Sequence, residues 1–268
     1  MSEPNDVIGN SDLSHCSAVL NYGGGRQTAA IIVLILRGVI ERPGKIIMAN
    51  TGRENQSTWD YLAKHVQPAL AGIGMQVEVI DPPKIPLLTY GADDKPIIPV
   101  YTADGKMSPF CSGNWKRDRM NSYLASIKWP GRERWIGFSA NEKKRINRMV
   151  SSERPDKYTF RFPLAEMFMT TEDCLAIVEK WGWPQPSVSS CWMCPHKKNE
   201  EWARVRDSEP EHWEEACRID EELREEDLER GGTGVWLHHS RVPLRQADLS
   251  VAEPLRVQRQ CSLGMCFV

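Results

Sequence analysis

Short apolar runs alternate with amphipathic segments through the first half of the chain. Strands are predicted at Ala18–Tyr22, Lys45–Ala49 and Met75–Ile80, where short apolar runs end at turn-forming residues. Helices are predicted at Thr28–Leu36, an apolar run opened by Thr28, and at Ser57–Ala71, where apolar residues recur with helical spacing. Because helices separate the strands, the strands should pair in parallel through right-handed crossovers. The expected fold class is therefore α/β, an open, mostly parallel, twisted sheet with helices on both faces.

The pattern changes after the third predicted strand. Residues 82–109 contain six prolines, which indicates a long excursion outside the sheet. Further elements are predicted from the pattern: a basic helix at Arg117–Ile127, a strand at Arg134–Phe138, a helix at Thr170–Trp181, one or two charged helices at Glu200–Arg230, and a short strand at Val235–Leu237. We therefore expect an α/β domain over residues 15–165 and a mainly helical, cysteine-bearing region over residues 166–268.

Composition is that of an ordinary globular protein, with 41% hydrophobic and 26% charged residues in 268. The formal net charge of −2 hides a segregation of charge. Residues 111–161 carry thirteen Lys or Arg and five Asp or Glu, whereas residues 199–230 carry five and fourteen. The acidic stretch is typical of a solvated helix face. The basic stretch keeps nucleic acid open as a partner, which the overall charge alone would not suggest.

The apolar run Ala29–Leu36 is too short to span a bilayer, and Met1–Ser14 lacks the pattern of a secretory signal. A cytoplasmic protein without membrane contact is expected. Eight cysteines are too sparse for a disulfide scaffold. Three of them, Cys16, Cys174 and Cys217, lie in or beside apolar patterns and are expected to be buried.

A glycine-rich segment joins the first predicted strand to the first helix. In Gly23-Gly24-Gly25-Arg26-Gln27-Thr28, the glycines let successive backbone N–H groups point inward at a helix N-terminus. Arg26 adds a positive charge and Thr28 a hydroxyl toward the same anion. The segment is neither the P-loop nor the dinucleotide-binding motif. It indicates a phosphate-binding loop, and a glycine-rich turn without a ligand is the alternative.

The same segment resembles the PP-loop, S-G-G-K-D-S, of the N-type ATP pyrophosphatase superfamily. Its three glycines resemble the form found in the phage and bacterial subfamily of phosphoadenosine phosphosulfate (PAPS) reductase-like proteins. Further blocks agree in order: residues 48–54 resemble the family's second-strand D-T-G segment, residues 135–145 its I-G-x-R-x-x-E block, and residues 162–173 its P-L-x-x-W-T-x-x-D element. The resemblance implies an adenine nucleotide alpha-hydrolase-like fold.

The resemblance also implies that the chain binds ATP or a related adenine nucleotide with Mg²⁺. An acceptor would attack the α-phosphate and release pyrophosphate, with Arg26 and Thr28 among the catalytic groups. The implied nucleotide-binding residues are Gly23, Gly24, Gly25, Arg26, Gln27, Thr28, Asn50, Thr51, Gly52, Gly137, Glu142 and Arg145. Three positions depart from the family pattern, since Gln27 and Asn50 replace aspartates and Ser139 replaces an arginine.

Cys191 and Cys194 form a C-x-x-C followed by a proline, a spacing that lets two thiolates bind one metal centre. With Cys111 and a cysteine near the end of the chain, four sulfurs suit a [4Fe–4S] cluster or zinc. The resemblance of the ending to G-M-C-G-V favours Cys266 over Cys261. Zinc, with His196 as an optional ligand, and an ordinary reduced pair are the alternatives.

Cys111 has a second potential role, because it precedes the basic residues Lys116 and Arg117. Neighbouring cations lower a thiol's pKa, so Cys111 could carry a persulfide instead of binding a metal. The basic residues of this stretch are Lys116, Arg117, Arg119, Lys143, Lys144, Arg145 and Arg148. They could bind tRNA, DNA or a polyphosphate, or form a solvated surface.

These observations together predict ATP-dependent adenylation coupled to sulfur transfer, of the nucleic-acid thiolation or phosphorothioation type. The alternatives are a sulfonucleotide (PAPS or APS) reductase using Cys261 or Cys266, and an inactive nucleotide-sensing module. The hypothesised partners are an adenine nucleotide, tRNA or DNA, a sulfur donor such as a cysteine desulfurase, and a second copy of the chain. The expected location is the cytoplasm of a bacterium or of a phage-infected host cell.

Overall fold

The structure is a computed structural model, and it describes residues 16–81, 90, 95–107, 110–151 and 157–250. The strands are β1 (Cys16–Asn21), β2 (Pro43–Ala49), β3 (Val77–Ile80), β4 (Tyr101–Thr102), β5 (Gly105–Lys106), β6 (Glu133–Ile136) and β7 (Thr159–Arg161). Five of them form a parallel sheet in the order β3-β2-β1-β6-β7. Strands β4 and β5 form a separate antiparallel hairpin. The α/β fold with a parallel sheet is confirmed.

Nine α-helices accompany the strands in the described ranges: α1 (Arg26–Leu36), α2 (Gln56–Tyr61), α3 (Gln67–Ala71), α4 (Asp118–Ser126), α5 (Lys143–Val150), α6 (Pro163–Glu166), α7 (Thr171–Lys180), α8 (Asn199–Ser208) and α9 (Pro210–Glu229). A π-helical stretch, Leu62–Val66, joins α2 to α3, and another, Ser112–Arg117, precedes α4. The segment Glu200–Arg230, predicted as one or two helices, forms two, because Pro210 is the first residue of α9, a position that proline favours.

Alternate residues of the central strands enter two different cores. Leu20, Ile46 and Met48 pack with α1 and α7, whereas Val19 and Ile47 pack with α4. Successive side chains of a strand point to opposite faces, so helices cover both faces of the sheet as predicted. Because both faces are buried, the strand sequences are continuously apolar instead of alternating.

Helix α1 lies within the first core, and its residues from Thr28 to Ile35 are all buried. Helix α7 packs against it through Cys174 and Val178, although α7 lies beyond the division predicted at residue 165. The predicted burial of Cys174 and Cys217 is confirmed, whereas the side chain of Cys16 lies outside the described part.

A third apolar cluster, built mainly from α8 and α9, contains Trp192, Trp202 and Trp213. The helical character predicted for the C-terminal region is confirmed for its described residues. The predicted strand Val235–Leu237 is wrong as a strand: only Trp236 pairs, through two backbone hydrogen bonds to Tyr101 of 2.8 and 2.9 Å. In the ranges that the structure describes, no helix is long and apolar enough to cross a bilayer.

Candidate functional site

The loops that follow β1, β2 and β6 meet at the carboxyl edge of the sheet, where the strand order reverses beside β1. The first and third of these loops are in close contact. A Cβ atom on Gly137 would lie 2.8 Å from Thr28 Cγ2, and the Gln27 amide donates to Glu142 at 3.4 Å. The glycine at residue 137 therefore permits the phosphate loop and the loop after β6 to pack together.

In the phosphate loop, residues 23–28, the backbone at Gly24 has a conformation that only glycine adopts without strain. Gly24 has φ +75°, and Gly25 caps α1 without any side-chain hydrogen bond to the first N–H groups. Those N–H groups are therefore available to an anion. Arg26 is half-buried beside them, and no hydrogen-bond partner reaches its Nε among the described residues.

The Thr28 hydroxyl, which the sequence predicts to face an anion, is hydrogen-bonded within its own loop. It donates to the Gly25 carbonyl at 3.1 Å and is buried. The Asn50 side chain is also hydrogen-bonded within its own loop, since its Oδ1 accepts a hydrogen bond from the Gly52 N–H at 2.7 Å. Gly52 has φ +73°, so this hydrogen bond stabilises a tight turn after β2.

Residues 189–194, called the cysteine loop below, pack directly against the phosphate loop and the loop after β2. Ser189 Oγ donates to the Gly23 carbonyl, and Trp192 N–H donates to the Arg53 carbonyl at 2.8 Å. The Cys191 sulfur lies 3.5 Å from Thr51 Oγ1. Two motifs that are 140 residues apart, predicted separately from sequence, therefore form one site.

A buried ion pair lies beside this sulfur. Lys116 Nζ is 3.0 Å from Glu54 Oε1, and both residues are buried. Burial works against the charge of Lys116, but Glu54 and the nearby thiols of Cys191 and Cys111 raise its pKa overall. Lys116 therefore remains an ammonium, paired with the Glu54 carboxylate.

The thiols of Cys191 and Cys194 belong to one turn, in which Cys194 N–H donates to the Cys191 carbonyl at 3.0 Å. Burial, together with the Glu54 carboxylate, raises the pKa of Cys191 to about 12, and burial also raises the pKa of Cys194. Both are therefore protonated at neutral pH unless a cation such as a metal ion binds them.

Two further groups lie next to the cysteine loop: Lys197, which was not predicted, and His196, which the sequence offered as an optional zinc ligand. Lys197 is buried, and its Nζ lies 2.6 Å from Ser190 Oγ and 3.4 Å from Asn55 Oδ1. His196 Nδ1 lies 2.7 Å from Lys106 Nζ, and burial lowers the pKa of His196 to about 4. Both residues directly follow Cys194-Pro195 in the sequence. Nothing in the sequence, however, indicated that Lys197 would be buried.

The predicted sulfur ligands are only partly brought together. Cys111 lies just before the π-helical stretch and contributes, like Cys191, to the electrostatics of Lys116. Across the described ranges, no three His, Cys, Asp or Glu side chains are arranged to hold one metal ion. Cys266 and Cys261 lie outside the described residues, so the set Cys111, Cys191, Cys194 and Cys266 stays a prediction. What the structure provides is a two-thiol turn, which fits half of such a centre.

The loop after β6 contains a capping box at the 3₁₀ turn Ala140–Glu142, which directly precedes α5. Glu142 accepts hydrogen bonds from Ser139 N–H at 3.0 Å and from Ser139 Oγ at 2.9 Å, and it pairs with Arg145. Arg145 also lies 4.3 Å from the Phe138 ring centroid. Ser139, which departs from the family pattern, therefore organises this loop, and Glu142 is already well supplied with donors.

The basic stretch is not a single surface. Lys116 is buried in its ion pair, whereas Lys143, Lys144 and Arg148 of α5 are exposed. Because α5 begins next to the Gln27–Glu142 contact, these three cations extend outward from the phosphate loop. They are the part of the predicted basic block that could bind a polyanion here.

No protein-family model matches this sequence, and no curated protein matches it. Among solved structures, the chain is similar to the U34-tRNA thiolase NcsA from Methanococcus maripaludis, determined with its [4Fe-4S] cluster. The two sequences are 16% identical, and the match covers 95% of this chain and 83% of the thiolase with a TM-score of 0.42.

Proposed function

We propose that this chain is a PP-loop, PAPS reductase-like enzyme that binds ATP, adenylates an acceptor with release of pyrophosphate, and transfers sulfur to it with release of AMP. A nucleic acid, tRNA or DNA, is the proposed acceptor. The sulfur chemistry is assigned to Cys191 and Cys194, with Cys111 and Cys266 completing a metal centre. A cysteine desulfurase is the proposed class of sulfur donor.

The observation that carries the proposal is that the cysteine loop contacts both the phosphate loop and the loop after β2. Ser189 hydrogen-bonds to Gly23 of the phosphate loop, and Cys191 lies against Thr51. An activated group held at the phosphate loop would therefore be close to sulfur. A nucleotide-binding protein without sulfur chemistry has no need for this juxtaposition.

The chain's own groups suit the proposed first step. N–H groups at the start of α1 and the Arg26 guanidinium can stabilise the charge that develops on the α-phosphate as its bond to pyrophosphate breaks. A magnesium ion, when bound, would neutralise further charge on the phosphates. A metal centre on the cysteines would hold their sulfurs as thiolates and supply a site for sulfur delivery.

Pyrophosphate release from ATP in the presence of candidate tRNA or DNA acceptors tests the proposal. Arg26→Ala should lower the rate by about 10²–10³-fold, because it removes a cation from the developing charge. Folding should be unchanged, since Arg26 Nε has no partner among the described residues. The matched control is Arg37→Ala, an exposed arginine at the other end of the same helix.

Equal rates for Arg26→Ala and Arg37→Ala would contradict the assigned role of the phosphate loop. Release of sulfite from a sulfonucleotide, with no pyrophosphate release from ATP, would instead establish the reductase alternative. ATP binding without turnover for any acceptor would establish a nucleotide-binding module. One observation favours the nucleotide-binding module as the second candidate: the Thr28 and Asn50 side chains are hydrogen-bonded within their own loops.

A further inference from the structure

Phe168 is an exposed aromatic residue at a position where a helix usually ends with glycine. It lies two residues after the end of α6 and has φ +57°. The Phe168 N–H donates to the Ala165 carbonyl at 3.1 Å, and the Met169 N–H donates to the Leu164 carbonyl at 2.9 Å. These hydrogen bonds close the helix in a Schellman motif, whose left-handed residue is usually glycine because glycine has no Cβ atom.

The Phe168 ring makes little contact with the rest of the fold. It is 84% exposed, the highest value among the large apolar side chains that the structure describes. A bulky residue rarely adopts a positive φ, and too little of the ring is buried for packing to offset the unfavourable backbone conformation. Strained residues cluster at functional sites, which indicates that the ring contacts something outside the folded chain.

The turn that carries Phe168 is held against the loop after β6. The Met169 carbonyl accepts the Ala140 N–H at 2.7 Å, and Thr171 Oγ1 lies 3.1 Å from Ser139 Oγ. The loop after β6 also packs against the phosphate loop. Phe168 and the phosphate loop therefore flank the same segment.

Helix α5 directly follows this loop and brings positive charge to the same place. Its residues Lys143, Lys144 and Arg148 are exposed. Glu166, the carboxylate nearest to Phe168 along the chain, is paired with Arg161 at 2.8 Å. An exposed aromatic ring beside several cations is complementary to a base and its neighbouring phosphates.

We propose that Phe168 is a stacking platform for an unpaired base of the nucleic-acid acceptor, and that Lys143, Lys144 and Arg148 bind the neighbouring phosphates. This inference rests on the proposed function, in which a nucleic acid is the acceptor. A base can stack on a protein side chain only when it lies outside a continuous duplex. The substrate class is therefore a single-stranded or looped segment.

Fluorescence anisotropy with short labelled oligonucleotides tests the platform. The probes are single-stranded RNA, single-stranded DNA and a duplex of the same sequence, and the wild type should bind a single strand more tightly than the duplex. Phe168→Leu keeps an apolar side chain without the aromatic ring and should weaken single-strand binding by about 5–100-fold. Phe168→Tyr keeps a ring and should retain most of the affinity. The two single-stranded probes show which sugar the site prefers.

The salt dependence of binding separates the ring from the cations. Each phosphate contact on a single strand contributes about 0.7 to the slope of log K against log salt concentration. The double variant Lys143→Gln/Lys144→Gln should therefore reduce that slope by about 1.4, whereas Phe168→Leu should leave it unchanged. Lys180→Gln removes an exposed lysine from the end of α7 and should bind as the wild type does.

Thermal unfolding supplies a readout that a packing role would move in the opposite direction. Phe168→Gly should unfold at the same or a higher temperature than the wild type, because glycine suits the left-handed position, while binding single strands as weakly as Phe168→Leu. A lower unfolding temperature for Phe168→Gly would overturn the proposal. Wild-type affinity of Phe168→Leu for single strands, or tighter binding of the duplex, would overturn it as well.

Pyrophosphate release from ATP separates this inference from the function on which it rests. A wild type that binds none of the oligonucleotides would contradict both the stacking platform and the nucleic-acid acceptor. Single-strand binding that depends on Phe168, without pyrophosphate release for any acceptor, would contradict the proposed reaction and support the platform. Pyrophosphate release with a nucleic-acid acceptor, combined with wild-type binding by Phe168→Leu, would contradict only the platform.

Discussion

Replacing Gly24 by alanine adds one methyl group at the most crowded point of the phosphate loop. Gly24 has φ +75°, a conformation that residues with a Cβ atom rarely adopt. The new Cβ would also lie closer to Thr58 Cγ2 than the 3.0 Å that real Cβ atoms keep. Thr58 is 0% exposed, so it has little room to move away.

The strained backbone conformation and the steric overlap each lower the free energy of unfolding, and a control variant separates them. The left-handed backbone conformation costs about 1–2 kcal/mol for alanine, and overpacking a buried site costs about 1–3 kcal/mol. Gly24→Ala should therefore lower the free energy of unfolding by about 2–5 kcal/mol. Gly38→Ala is the matched control, because Gly38 has φ +66° but no atom within 4 Å of the added Cβ. It should show only the conformational part.

Urea unfolding of the single variants and of the double variant Gly24→Ala/Thr58→Ser measures both parts. Serine lacks the threonine Cγ2 atom, so the double variant should regain the steric part, a coupling of about 1–3 kcal/mol. Gly24→Ala should also bind ATP more weakly, because the N–H groups beside it would be displaced. Equal destabilisation by Gly24→Ala and Gly38→Ala, or no coupling with Thr58→Ser, would refute this description of the loop.

Two further predictions concern the helical C-terminal region. Asp220→Ala should lower the free energy of unfolding by about 3–5 kcal/mol, because the buried carboxylate accepts the N–H groups of Leu237 at 2.7 Å and Leu244 at 2.9 Å. Glu222→Ala, on the exposed side of the same helix, should change it by less than about 1 kcal/mol in the same urea titration. Burial, reinforced by neighbouring His239, lowers the pKa of His238 to about 4. As the pH falls from 6.5 to about 4, the unfolded chain binds a proton at His238 before the folded chain does, so the free energy of unfolding should fall across this range. His238→Gln should make the free energy of unfolding depend less on pH in this range. An unchanged dependence would contradict the burial of a neutral His238.

The sheet was predictable because it is buried on both faces. Strands β1 and β2 appear in the sequence as short apolar runs, and the segment Ser57–Ala71 after β2 has clear 3.6-residue spacing. Strand β7 was missed because Thr159–Arg161 is three residues long and contains two polar side chains. Helix α5 was missed for a related reason, since none of its residues is buried. Local patterns identify elements that are stabilised by burial and say little about elements that are not.

The candidate site was predictable as separate motifs but not as one constellation. The turn geometry at Gly24 and the C-x-x-C spacing are local properties that the sequence displays directly. The contact of Cys191 with Thr51, in contrast, depends on how the C-terminal region packs on the sheet edge. Long-range packing of this kind leaves no periodic trace, so the ion pair of Lys116 with Glu54 could not be found in advance.

The segregation of charge along the chain also has a different meaning in three dimensions. Residues 111–161 carry a net charge of +8, yet the guanidinium of Arg134 is fully buried, where it donates to Asn21 Oδ1 at 2.9 and 3.1 Å. Lys116 is buried as well. A polyanion can therefore contact only the exposed part of this stretch, of which Lys143, Lys144 and Arg148 lie beside the phosphate loop. The buried cations instead have their partners within the fold, since Arg134 donates to Asn21 and Lys116 pairs with Glu54.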